Sequence, residues 1–111
     1  MCIVTPTNST THAIVAFLNL RGCVAWRNNT TGVFDPRIKR FRPAHVGSRG
    51  VADVLCCLPG GRLLEVEVKC GKDKLNPAQI AHRDKIVSVG GLHVTVYSFD
   101  ELKQYFEQVI A

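Results

Sequence analysis

The sequence predicts an α/β domain with the element order αβββαβα, and three observations carry that expectation. Two extended runs, Gly50-Val51-Ala52-Asp53-Val54-Leu55-Cys56-Cys57 and Leu63-Leu64-Glu65-Val66-Glu67-Val68-Lys69-Cys70, flank Pro59-Gly60-Gly61, which has the composition of a tight reversal. Apolar residues recur with helical spacing near both ends of the chain and once between strands. Asn76-Pro77-Ala78-Gln79 and Ser98-Phe99-Asp100-Glu101 each read as the capping box that opens a helix. With 111 residues the chain can bury one core but not two, so residues 1–111 are expected to form a single domain.

Residues 1–8, polar and interrupted by Pro6, read as a loose end. A helix is expected from Ser9 or Thr10, each a plausible N-cap, with Ala13, Ile14, Phe17, Leu18 and Leu20 on its apolar side and Gly22 at its stop. His12 falls near its start, at a surface position. Cys23 to Asn28 then alternate as a strand, with Val24 and Trp26 on one face; Trp26 is expected in the core, and Arg27 can reach a phosphate. Asn28-Asn29-Thr30-Thr31-Gly32 is a turn. Residues 33–49 show no clean periodicity and carry Arg37, Lys39, Arg40, Arg42 and Arg49 against one acid, Asp35, with Phe34 and Phe41 interleaved. They read either as a solvated basic loop or as an arm that tracks phosphates and offers an aromatic to an unstacked base.

Beyond the paired strands, Gly71-Lys72-Asp73-Lys74 is a charged loop. The helix after Asn76 is expected to turn Ile80, Ala81, Ile86 and Val87 inward, to leave His82, Arg83 and Lys85 more exposed, and to end at Gly90-Gly91. Leu92, Val94 and Val96 share one face of the last strand, with His93 opposite. Leu102, Tyr105, Phe106, Val109 and Ile110 give the closing helix an apolar face for the sheet or for a partner subunit.

Composition narrows the function. A hydrophobic content of 46% with 21% charged residues describes an ordinary folded domain, and the net charge of +5 favours a polyanionic partner such as nucleic acid. No apolar run approaches the roughly 20 residues that span a bilayer, and Met1 to Pro6 lacks the pattern of a signal peptide, so no membrane role is expected. Five cysteines without Cys-x-x-Cys spacing indicate neither a zinc site nor a disulfide framework, and they read as small apolar core residues in a reducing compartment.

The chemistry gathers at the paired strands. Alternation points Glu65, Glu67 and Lys69 one way and Val66, Val68 and Cys70 the other. Asp53 is the lone charge in an apolar run, where desolvation demands a cation or hydrogen-bond donors. Antiparallel pairing brings it towards Glu67 and Lys69. The plain reading is a half-buried ion pair on a sheet. The sharper one is a hard-oxygen site for Mg²⁺ or Mn²⁺, with Asp53 and Glu67 as ligands, the Val68 main-chain carbonyl as a third, and Lys69 beside the attacking water. The reaction implied is phosphodiester hydrolysis.

An Asp after a glycine-led strand, a hairpin, and then Glu67-Val68-Lys69 resembles the PD-(D/E)XK nuclease superfamily. Over roughly residues 9–103 the chain is similar to its VRR-NUC branch, at Leu18-Asn19-Leu20-Arg21-Gly22, Trp26-Arg27-Asn28-Asn29-Thr30, Gly50-Val51-Ala52-Asp53, Glu67-Val68-Lys69, Asn76-Pro77-Ala78-Gln79 and Gly90-Gly91. The resemblance implies a restriction-endonuclease-like αβββαβα core with a central mixed sheet flanked by helices. It also implies that Gln79, besides capping its helix, helps orient the site or a phosphate. Such domains carry a Glu in the first helix, yet the first acid of this chain is Asp35. Asn8, Thr11 or His12 can supply a weaker ligand, a partner chain can, or the metal site is impaired.

The leading expectation is a Mg²⁺- or Mn²⁺-dependent, structure-selective DNA endonuclease in the cytoplasm of a bacterial or phage-infected cell. Asp53, Glu67, Lys69 and Gln79 would serve catalysis. Arg27, Arg37, Lys39, Arg40, Arg42, Arg49, Lys72 and Lys74 would hold the DNA backbone. The resemblance points to a junction-resolvase-like or flap nuclease on branched DNA, and a two-fold homodimer would supply paired incisions. The alternatives are a nucleic-acid-binding or assembly subunit of the same fold with an impaired metal site, and a plain αβ interaction module.

Overall fold

The computed structural model describes residues 4–28, 33–37, 39–42 and 50–111, with backbone alone at 4–7, 33–35 and 40–42. The elements run α1 (Val4–Leu20), β1 (Val24–Arg27), β2 (Val33–Asp35), β3 (Arg40–Arg42), β4 (Val54–Cys57), β5 (Leu63–Val68), α2 (Pro77–Ser88), β6 (Leu92–Val96) and α3 (Phe99–Tyr105), closed by a π-helical turn over Phe106–Ile110. Set the β2–β3 hairpin aside and the order is the expected αβββαβα. The main sheet is β1-β4-β5-β6, antiparallel except for β6, which joins β5 in parallel through the α2 crossover. It is a mixed sheet flanked by helices, and among the described residues no helix is long and apolar enough to cross a membrane.

One face of the sheet holds the core. Val54, Cys56, Leu64, Val66 and Val96 are buried there against Ile14 and Leu18 of α1, Leu102 of α3 and Phe106. Phe17 stands edge-on to both Phe99 and Phe106, at 5.5 Å between ring centroids. The end of α1 is set by Gly22 at φ +88°, where the Cys23 N–H reaches the Leu18 carbonyl and the Gly22 N–H that of Asn19, a Schellman closure. The Asn19 side chain then donates to the Ala25 carbonyl and accepts from the Ala25 N–H, so the outer edge of β1 is blocked at that residue.

Several expectations change. α1 begins at Val4, not at Ser9 or Thr10, and so takes in most of the segment expected to be loose. Pro6 lies in its first turn, where the missing N–H would have had no intrahelical partner anyway. Val24 and Trp26 are exposed on β1 while Ala25 faces the core, and Leu20 is exposed at the end of α1. Alternation gives a strand two faces without saying which one is covered. The 33–49 segment is not a structureless loop, since residues 33–35 and 40–42 pair as a hairpin with Phe34 opposite Phe41. α2 buries no residue fully and exposes Ile80 and Val87. Cys70 is disulfide-bonded, because pairing follows proximity in the fold and not spacing along the chain. Cys23, Cys56 and Cys57 are free, and of these Cys57 is exposed.

Candidate active site

The second face of the sheet is charged, and its arrangement starts at a bend. Gly50 has φ +80°, and a Cβ there would stand 2.3 Å from the Ala78 carbonyl oxygen, so only glycine lets the chain pass the first turn of α2. Asn28 fixes the residues that follow: its N–H donates to the Asp53 carbonyl at 2.8 Å and its side chain to that of Ala52 at 3.2 Å. Asp53 thus lies on the bend just before β4, not within the strand. The Val54–Val66 pairing directs it across to Glu67, and its Oδ2 accepts the Val68 N–H at 2.8 Å.

Glu67 is 3% exposed. Its Oε1 accepts from Gln79 Nε2 at 3.2 Å, while Oε2 is buried with no hydrogen-bond partner. Burial, then the adjacent Asp53 carboxylate, pushes the Glu67 carboxyl up to about 8; Glu65 adds to the shift and Lys69 opposes it. With both carboxylates charged no donor faces Oε2; with one proton present the two groups can share it. The geometry therefore asks for positive charge between them. Asp53 and Glu67 could hold a divalent cation, and the Val68 carbonyl is on the right side, because the N–H and C=O of one strand residue face the same neighbour. Among the described residues no three His, Cys, Asp or Glu side chains converge on a metal position, so Asp53 and Glu67 alone would not complete a cation's coordination.

Lys69, half-buried just past β5, donates its N–H to the Val96 carbonyl at 2.9 Å. Gln79 carries two tasks at once: its side-chain oxygen accepts the Asn76 N–H to complete the capping box, while its Nε2 reaches Glu67. Arg27, Lys72 and Lys74 are exposed. Arg27 is one pairing from Asp53, opposite Val54, and its guanidinium donates to Asn8 Oδ1 at 2.5 Å. The loop bearing Lys72 and Lys74 is tied down by the Tyr97 hydroxyl, which donates to the Asp73 carbonyl at 2.5 Å. Arg37 and Lys39 are exposed between β2 and β3, Arg40 and Arg42 belong to β3, and Arg49 lies outside the described residues. Of the three residues considered for the first helix, Asn8 is engaged by Arg27, Thr11 is buried and His12 is exposed.

A second polar rung escaped the sequence. Glu65 is 2% exposed, and its Oε2 lies 2.9 Å from His82 Nε2. His93, its partner on β6, is half-buried with Nε2 lacking a hydrogen-bond partner, and burial lowers its pKa. The signal was present as spacing. Gln79 and His82 are one helical turn apart, and Glu67 and Glu65 are alternate strand residues, so a helix laid antiparallel along β5 pairs them.

No family model matches the chain, and no curated protein matches it. A solved structure described as a VRR_NUC domain superimposes with a TM-score of 0.71 at 19% identity, covering 94% of this chain and 97% of that one. Over nearly its whole length, the chain has the fold of a VRR_NUC domain.

Proposed function

We propose that this chain is a nuclease, and specifically a Mg²⁺- or Mn²⁺-dependent DNA endonuclease that selects its substrate by shape. The observation that carries the reading is the pair of carboxylates at Asp53 and Glu67, one with a buried oxygen facing no donor, beside the ammonium group of Lys69. Asp53, Glu67 and the Val68 carbonyl would hold the cation. When bound, it supplies charge for a phosphoryl oxygen and lowers the pKa of a water. Gln79 occupies Glu67 Oε1 and leaves Oε2 the oxygen that would be available to a cation. Lys69 orients the attacking water and offsets charge developing on the phosphate.

Arg27, Lys72 and Lys74, together with Arg37, Lys39, Arg40, Arg42 and Arg49, supply phosphate contacts. These contribute affinity without reading bases, which favours branched or junction-containing DNA over a sequence. Paired incision of a junction requires a homodimer. A cytoplasmic setting goes with such a substrate.

The test is cleavage of branched and linear DNA with and without Mn²⁺. Wild type is expected to cut, with Lys69→Ala and Asp53→Asn reduced by about 100-fold or more. Equal cutting by all three would remove the assignment, and a purely monomeric mass at micromolar concentration would remove paired incision.

One observation favours a second reading. α1 contains no acid, and Asn8, one of the three residues considered as a replacement, is already engaged by Arg27. On that reading the chain binds nucleic acid without cutting it. Salt-sensitive DNA binding with no Mn²⁺ uptake by calorimetry would select it.

A further inference from the structure

We propose that His82 is a positioning residue for the site, acting by pinning α2 to β5 so that Gln79 meets Glu67. The assignment rests on the nuclease reading for its functional consequence, but its structural basis is independent. Apolar packing seats α2 only lightly: it buries no residue fully, Ile80 and Val87 are exposed, and Ile86 is half-buried beside Gly91. Two polar bridges join it to β5, Gln79 to Glu67 at 3.2 Å and His82 to Glu65 at 2.9 Å. The helix runs against the strand, so a step of three residues on one, about 4.5 Å, follows a step of two on the other, about 6.7 Å, within side-chain reach.

The two bridges differ in strength of anchorage. Gln79 is a neutral amide held at the helix N-terminus by its own capping box. His82 faces a carboxylate that is 98% buried, whose other oxygen lacks a hydrogen-bond partner, and whose strand neighbours are Leu55 and His93. Removing His82 strands that charge, and the relief available is for α2 to lift and admit water. Lifting carries Gln79 away from Glu67, one turn earlier on the same helix. The cluster is not itself a metal position, since among the described residues no three ligating side chains come together.

The test is a double-substitution cycle in the full chain, read by kcat and KM for cleavage of a branched DNA in Mn²⁺, and by the NMR side-chain amide signal of Gln79 in the metal-free protein. His82→Ala is expected to lower kcat by about tenfold or more, with KM nearly unchanged, and to move the Gln79 signal to its solvent-exposed position. In a Gln79→Ala background the same substitution is expected to cost less than about twofold, and His82→Gln, which keeps a donor, to recover most of the wild-type rate. An effect of His82→Ala equally large in both backgrounds, or an unmoved Gln79 signal, overturns the assignment. Should wild type cut no DNA, the nuclease reading fails while the NMR measurement still decides the positioning role. Should His82→Ala not fold, His82→Asn, a polar side chain too short to span the bridge while Glu65 keeps its charge, takes its place in the same measurements with the same expected and overturning results.

Discussion

The two faces of the central sheet are built from alternate residues of the same strands, yet they obey different rules. On one, Val54, Cys56, Leu64, Val66 and Val96 pack under α1 and α3, with the Thr11 hydroxyl of α1 as a buried polar group and no buried charge among the described residues. On the other, Asp53, Glu65 and Glu67 lie under α2, two of them nearly inaccessible to solvent and two with an oxygen lacking a hydrogen-bond partner. The apolar face lowers the free energy of the fold. The charged face raises it, a cost tolerated where a ligand is to be bound.

The sharpest way to break this comparison is on the apolar side. Leu64, fully buried in β5, is expected to cost about 3 kcal/mol when changed to Ala, measured by urea denaturation, with cleavage per folded molecule retained. A loss of activity without a loss of stability would mean that the faces are not separable.

Its neighbour Glu67 should behave in the opposite sense. A carboxyl raised to about 8 in the native state stabilises the metal-free fold below its unfolded value of 4.5, and that contribution is lost as pH climbs through about 8. Glu67→Gln removes the titration, so at pH 9 the variant is expected to be more stable than wild type by roughly 2 kcal/mol or more while cutting no DNA. His93 slopes the other way, its lowered pKa favouring the fold at higher pH, and the difference between the two proteins isolates Glu67. Identical pH profiles for wild type and variant would show that burial does not strain this carboxylate.

Smaller effects refine the picture. Asn76→Ala removes the side chain that accepts the Gln79 N–H and is expected to cost about 1 kcal/mol while loosening Gln79, so stability and kcat should fall together. Trp26→Ser, on the exposed side of β1, is expected to change stability by less than about 0.5 kcal/mol. A larger loss would extend the core to a part of the sheet that α2 leaves open.

Sequence carried the parts of this architecture that depend on local chemistry. The Pro59-Gly60-Gly61 reversal, the antiparallel β4–β5 pairing that brings position 53 to position 67, the capping box at Asn76 and the N-cap at Ser98 are short-range features with their own residue signatures, although the box expected at Ser98 does not close, since Glu101 Oε1 accepts the Tyr97 N–H instead. What sequence could not convey was phase against a distant neighbour. Ile80 and Val87 suggest an inward face for α2, but the polar groups of β5 select Gln79 and His82 instead. For the same reason Glu65 reads as a surface charge on an alternating strand and is in fact enclosed. Trp26 reads as core because large aromatics usually are, whereas α2 covers β5 and β6 more than β1.

The position of Trp26 has a practical consequence. It is the sole tryptophan of the chain, 46% exposed, and the second residue before the asparagine that fixes the Asp53 bend. An indole half in water on the same sheet as the proposed site is a built-in fluorophore. Its emission should shift or quench as a duplex displaces solvent, which would let encounter be timed in stopped flow without a label, separately from bond breakage.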